Sequence, residues 1–118
     1  VTRVAELRQS LLVTGFPYNI TENPGNAVEH FVHFLMAARG VRRLGSAAMD
    51  LCYVAAGRFD GFWELTLKPW DIAAAGLIAE EAGARVTATD GKPDYISTPQ
   101  SILAAAAGIY EKLLEQLK

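Results

Sequence analysis

Phe62-Trp63-Glu64-Leu65-Thr66-Leu67, followed directly by Lys68-Pro69-Trp70-Asp71-Ile72-Ala73-Ala74-Ala75-Gly76, decides the fold. The first piece is aromatic, apolar and β-branched, the composition of a strand. In the second, a proline stands at the start of a small, apolar stretch, with an acid two residues on. That is a helix N-terminus, because Pro costs nothing where the N–H has no partner and an acid complements the dipole. The helix should run to Glu81–Gly83. On the C-terminal side, Arg85 to Thr89 reads as a strand, Asp90-Gly91 as a turn, Ser101 to Ala106 as a strand and Ile109 to Lys118 as a helix. On the N-terminal side, Asp60-Gly61 reads as a turn. A helix opened by Gly45-Ser46 should run to about Ala56 and close at Gly57, preceded by a brief strand at Val41–Leu44. Before these, Ser10–Thr14 reads as a buried strand, Tyr18–Gly25 as a loop, and Asn26 as the N-cap of a helix ending at Gly40. Val28, Phe31, Val32, Leu35 and Met36 give that helix its apolar spacing. Strands separated by helices of this length predict βαβ units in an α/β fold of layered sheet and helix, with residues 1–118 as a single domain.

Composition narrows the function. Eleven basic against thirteen acidic residues give a net charge of −2. No basic excess exists to drive binding to nucleic acid or an anionic membrane. The longest apolar run, Ile102–Ala107, is too short to cross a bilayer. One cysteine makes no internal disulfide, and Cys52 beside Leu51 reads as a small buried hydrophobe. These features predict a cytoplasmic domain without nucleic-acid or membrane partners. His30 and His33 share a helix face with no carboxylate to complete a metal set. Arg42-Arg43 is a short basic pair, and Glu80-Glu81 a solvated helix face.

Three places carry chemistry, and each has a structural alternative. Asp71 is either a first-turn carboxylate that caps N–H groups or a ligand for a hard cation such as Mg²⁺. Strand alternation puts Glu64 on one face with Phe62 and Thr66, either turned to solvent or accepting from substrate hydroxyls. Gly45-Ser46-Ala47-Ala48 either packs a helix closely on a sheet or lets backbone N–H groups approach an anionic ligand.

Together these segments resemble the inositol monophosphatase family. Trp70 to Ala84 is similar to the family's C-terminal signature, and Arg43-Leu44-Gly45-Ser46-Ala47-Ala48 to its substrate-contacting Gly-(Ser/Thr)-Ala segment. Glu64 precedes Asp71 at the family's spacing between substrate-binding glutamate and metal aspartate, and Leu12–Tyr18 is similar to bacterial members. The resemblance implies that Asp71 ligates Mg²⁺ next to the substrate. It implies that Glu64 binds the hydroxyls of a polyol such as inositol, and that Gly45, Ser46 and Ala47 face that substrate. It further implies metal-assisted hydrolysis of a phosphate monoester, and a homodimer of the full-length enzyme. Histidinol phosphate, fructose 1,6-bisphosphate and 3′-phosphoadenosine 5′-phosphate are the alternative substrates, and a non-catalytic interaction module is the alternative role. Family members are about twice as long. No aspartate here precedes a proline, so the family's Asp-Pro-(Ile/Leu)-Asp-Gly-Thr metal motif is missing from this sequence. With Val rather than Met at position 1, the expectation is a C-terminal, substrate-binding half that is inactive alone.

Overall fold

A computed structural model describes residues 1–97 and 99–118. Its order is β1 (Leu11–Thr14), α1 (Ala27–Ala37), β2 (Gly40–Arg42), α2 (Ala47–Ala55), β3 (Gly61–Glu64), α3 (Pro69–Glu81), β4 (Arg85–Thr87), β5 (Ile102–Ala105) and α4 (Ala107–Leu117). The strands form one sheet in the order β2-β1-β3-β5-β4. β1 pairs in parallel with both β2 and β3, while β5 runs antiparallel to β3 and β4. The expected βαβ units are therefore present as β1-α1-β2 and β2-α2-β3.

Alternation along the strands explains the layering. Val13, Phe62, Ile102 and Ala104 point to one face, where Leu51 and Val54 of α2 and Ile72, Ala75 and Ala79 of α3 cover them. Leu12, Trp63, Leu103 and Ala105 point to the other, beneath Phe34 of α1 and Ile109, Tyr110 and Leu113 of α4. Both faces are buried, which is why Leu11-Leu12-Val13 and Ile102–Ala105 are continuous apolar runs. The two crossovers leave in opposite directions, β1 to β2 on one side and β2 to β3 on the other. With the right-handed rule, this puts α1 and α2 on opposite faces.

Several boundaries move for identifiable reasons. Gly40 does not end α1; the helix stops at Ala37, and Gly40 begins β2, paired with Leu11. Asn26 occupies the N-cap position with a left-handed backbone, but its side chain caps nothing. Asn23 supplies the cap instead, its Oδ1 accepting the Val28 N–H at 2.9 Å. Asp60-Gly61 is not a turn. Asp60 is buried, accepts the Leu11 N–H at 2.7 Å and the Thr2 hydroxyl at 2.6 Å, and Gly61 opens β3. Most of the apolar stripe of α1 faces the other way: Val28, Val32, Leu35 and Met36 are exposed and Phe31 packs half-buried against the core, while Ala27, His30 and Phe34 are buried. Helical spacing locates a stripe on a helix, not the surface it covers. Cys52 is half-buried against the α2–α3 side of the core.

Candidate active-site cleft

Because β1, β2 and β3 are parallel, their carboxyl ends lie together. β1 leads to a helix on one face and β3 to a helix on the other, so the chain parts between them. In open α/β sheets, ligands bind in the crevice at such a point. An open cleft of about 870 Å³ lies there, lined by residues 15–20 after β1, by Arg43 and residues 45–48 after β2, and by Glu64 at the end of β3 with residues 66–68, 70 and 71 beyond it. Gly45, Ser46, Ala47, Glu64 and Asp71 all line it. The structure thus brings together all five residues assigned to the site, from the β2–α2 and β3–α3 connections.

Local structure fixes each of them. Asp71 is the third residue of α3; its N–H donates to the Lys68 carbonyl at 2.9 Å, and its Oδ2 accepts the Lys68 N–H at 3.1 Å. The capping reading is realised, yet only one carboxylate oxygen is used, leaving Oδ1 without a hydrogen bond among the described residues. Ser46 caps α2, its Oγ accepting the Met49 N–H at 3.3 Å. Gly45, at φ +95°, takes a backbone that L side chains avoid, which brings the chain from β2 into α2 without a side chain in the cleft.

Glu64 ends β3 at a pinned position. One residue earlier, the Thr14 hydroxyl donates to the Trp63 carbonyl at 2.6 Å and ties β1 to β3. The next residue of β1's chain is Gly15. A Cβ there would overlap Glu64 Oε1 and sit 2.7 Å from its carboxyl carbon. Gly15 is therefore the space that the Glu64 carboxyl occupies. Burial pushes that carboxyl up to about 7; the like charges of Asp50 and then Asp71 add to the push, against the Arg43 guanidinium.

The sequence reading passed over Gly15, Arg43, Lys68 and Asp50. Gly15, Arg43 and Lys68 line the cleft, and Asp50 lies buried in the first turn of α2. A glycine directly after an apolar strand was the available signal for Gly15. Its meaning depends on the pairing of β1 with β3, which local pattern does not reveal. His30 is buried and His33 exposed, so the pair makes no shared site. Among the described residues, no group of three or more His, Cys, Asp or Glu side chains is placed to hold a metal ion. One carboxylate with a spare oxygen still suits a hard cation that completes its shell with water and phosphate. No helix among the described residues is long and apolar enough to cross a membrane.

Sheet and cleft together define a three-layer α/β unit with a crevice, lined by Glu64, Asp71, Arg43 and Lys68 among others, at the carboxyl ends of its parallel strands. The sequence pattern of the inositol monophosphatase family matches residues 1–118, and the chain belongs to that family. It is 44% identical over 117 residues to the inositol-1-monophosphatase of Synechocystis sp., covering 99% of this chain and 40% of that protein. It is 39% identical over 109 residues to the Nus factor SuhB of Vibrio cholerae, covering 92% of this chain and 41% of that protein. The inositol monophosphatase structure from Anabaena (Nostoc) sp. PCC 7120 superposes with a TM-score of 0.88 at 45% identity, across 99% of this chain and 46% of that one. The chain therefore spans about two-fifths of the curated relatives it matches.

Proposed function

We propose that this chain is the substrate-binding part of a Mg²⁺-dependent phosphomonoesterase acting on inositol monophosphate or a similar polyol phosphate. The observation that supports it most is that Glu64 and Asp71, at the two ends of the β3–α3 connection, and the Gly45-Ser46-Ala47 turn of the β2–α2 connection line one cleft. Glu64 hydrogen-bonds substrate hydroxyls. Gly45, Ser46 and Ala47 shape the wall against which the ring rests, and Asp71 gives one oxygen to the cation. Bound there with further ligands, Mg²⁺ would supply charge neutralisation for the phosphate and a more acidic water. One aspartate holds at most a share of such a centre, so the remaining metal ligands come from outside these 118 residues. The chain alone is accordingly inactive. The exposed α1 stripe of Val28, Val32, Leu35 and Met36 suits burial between two copies, in keeping with a homodimer. A single half-buried cysteine suits a reducing, cytoplasmic setting.

The test is hydrolysis of myo-inositol 1-phosphate with and without Mg²⁺. The isolated chain gives no turnover, and the chain joined to a metal-binding half of the family gives metal-dependent turnover. Robust turnover by the isolated chain contradicts the reading. Preference of the joined enzyme for histidinol phosphate, fructose 1,6-bisphosphate or 3′-phosphoadenosine 5′-phosphate moves the substrate within the family. The Vibrio cholerae relative's name, Nus factor, favours a second reading: a unit that keeps the fold as an interaction module. Failure of the joined enzyme to hydrolyse any of these esters supports that alternative.

A further inference from the structure

Arg42 and Arg43 are neighbours in sequence, and the structure sends their guanidinium groups to different places. Arg42 ends β2, at the edge of the sheet. Its Nη1 donates to the Val41 carbonyl at 3.3 Å and lies 3.1 Å from where a Cβ on Gly40 would be. Arg43 lines the cleft. Its Nη1 lies 3.5 Å from where a Cβ on Gly45 would be, so the guanidinium is folded back over the turn that leads into α2. Lys68 brings a second cation to the same cleft from the β3–α3 connection. Its place is fixed by Asp71, whose Oδ2 accepts the Lys68 N–H at 3.1 Å. Each cation is thus tied by a contact to a residue assigned to the site. Among the described residues, neither head group has a hydrogen bond or an ion pair; the ion pairs there use Arg85, Lys92 and Lys112.

The proposed reaction leaves both cations without a task, and both would repel a Mg²⁺ ion at Asp71. Positive side chains in a cleft that is to hold a divalent cation are favourable only when an anion lies among the charges. A phosphate dianion is that anion. A guanidinium meets phosphate oxygens with paired N–H donors, and an ammonium adds a point charge with three donors. The wall beside Arg43 suits the same ligand. The Met49 N–H is taken by Ser46 Oγ and the Asp50 N–H by the Ser46 carbonyl. The Ala47 and Ala48 N–H groups have no partner among the described residues, and they stand at the positive end of α2 on the cleft lining.

We propose that Arg43 and Lys68 are phosphate-binding residues of the cleft: they grip the phosphoryl oxygens of the ester themselves, so that a phosphate dianion binds this chain without a metal ion. This deepens the phosphomonoesterase reading and rests on it for the identity of the ligand. Arg43 and Lys68 offset the ligand's charge from two sides of the chain, one before α2 and one before α3. Arg42, turned to the sheet edge, takes no part.

The experiment is an amide shift titration of the ¹⁵N-labelled 118-residue chain with inorganic phosphate. It is run with a chelator at pH 8, where phosphate is chiefly a dianion. The amides of residues 45–48 and of Lys68 shift saturably, and the affinity falls as salt is raised. Arg43→Gln and Lys68→Gln each weaken binding several-fold, while Arg42→Gln leaves it unchanged. All three side chains are exposed, so the urea midpoint moves little in any of the variants. No saturable shift at those amides overturns the proposal, and so does an unchanged affinity in Arg43→Gln or in Lys68→Gln. In the chain joined to a metal-binding half, the two variants raise KM for myo-inositol 1-phosphate with kcat little changed, as loss of a grip common to ground and transition states requires. Turnover indifferent to both substitutions sinks the phosphate pair and spares the phosphomonoesterase reading. Metal-free phosphate binding that needs both cations, with no hydrolysis of any ester by the joined enzyme, sinks that reading and leaves the pair standing.

Discussion

The parallel half of the sheet, β2-β1-β3, and the antiparallel half, β3-β5-β4, share a strand and a core but treat polar groups in opposite ways. In the antiparallel half they are paired. The Thr87 and Tyr110 hydroxyls lie 2.7 Å apart, Thr89 donates to the Ser101 hydroxyl at 2.9 Å, and Arg85 bonds Glu111 at 2.7 Å while lying over the Tyr110 ring. Near the carboxyl ends of the parallel half, among the described residues, Glu64 has no hydrogen-bond partner and Asp71 uses one oxygen, while Asp50 in the first turn of α2 is buried with an oxygen unbonded. Parallel strands bring the loops after β1, β2 and β3 to one edge, and Glu64 and one oxygen of Asp71 line the cleft there without a hydrogen bond among the described residues.

The largest effect that sharpens this contrast is at Asp71. On the proposed function, Asp71→Ala removes a carboxylate assigned to the cation, and in the chain joined to a metal-binding half it is expected to weaken Mg²⁺ binding at least roughly tenfold by calorimetry. It costs about 0.5–1 kcal/mol of stability, through loss of the bond to the Lys68 N–H. Gly15→Ala comes next. The new Cβ displaces the Glu64 carboxyl, costing about 1–3 kcal/mol by urea denaturation and weakening myo-inositol 1-phosphate binding. An unchanged ligand affinity breaks the claim that Gly15 makes room for Glu64. Tyr110→Phe in the antiparallel half removes the hydroxyl contact with Thr87, costing about 1 kcal/mol, and leaves cleft affinity untouched.

The pH response is smaller. Glu64 and Asp50 titrate higher in the folded chain than in the unfolded one, so the folded state holds extra protons between roughly pH 4 and 7. Their contribution to stability is present below that window and is lost as pH rises through it. His30, whose burial lowers its affinity for protons, works in the opposite sense, so the comparison is made between variants. The fall in melting temperature from pH 5 to pH 7.5, of about a few degrees, shrinks in Asp50→Asn. Smallest of all, Glu111→Gln changes stability by less than about 0.5 kcal/mol, because the Arg85 pair is half-exposed.

Local signals in the sequence sufficed for the βαβ units and for the start of α3, since Pro69 and Asp71 act within one turn. The family resemblance pointed to Glu64 and Asp71 belonging together, and the parallel strand ends are the physical reason they do. Features that depend on distant partners were not legible. The return of β5 between β3 and β4, the role of Gly15 and the burial of Asp50 all follow from strand pairing across tens of residues. The outward stripe of α1 was misleading for the same reason: a helix advertises an apolar face without naming what covers it. Asn23 capped α1 in place of Asn26 because two left-handed residues and Gly25 fold the loop back on itself.

The central claim is that the crevice at the carboxyl ends of β1, β2 and β3 is where a phosphorylated polyol binds. Amide shift mapping of the chain with myo-inositol 1-phosphate and Mg²⁺ tests it directly. Perturbations confined to residues 15–20, 43–48 and 64–71 are the predicted result. Perturbations centred on the antiparallel half, or none at saturating ligand, contradict it.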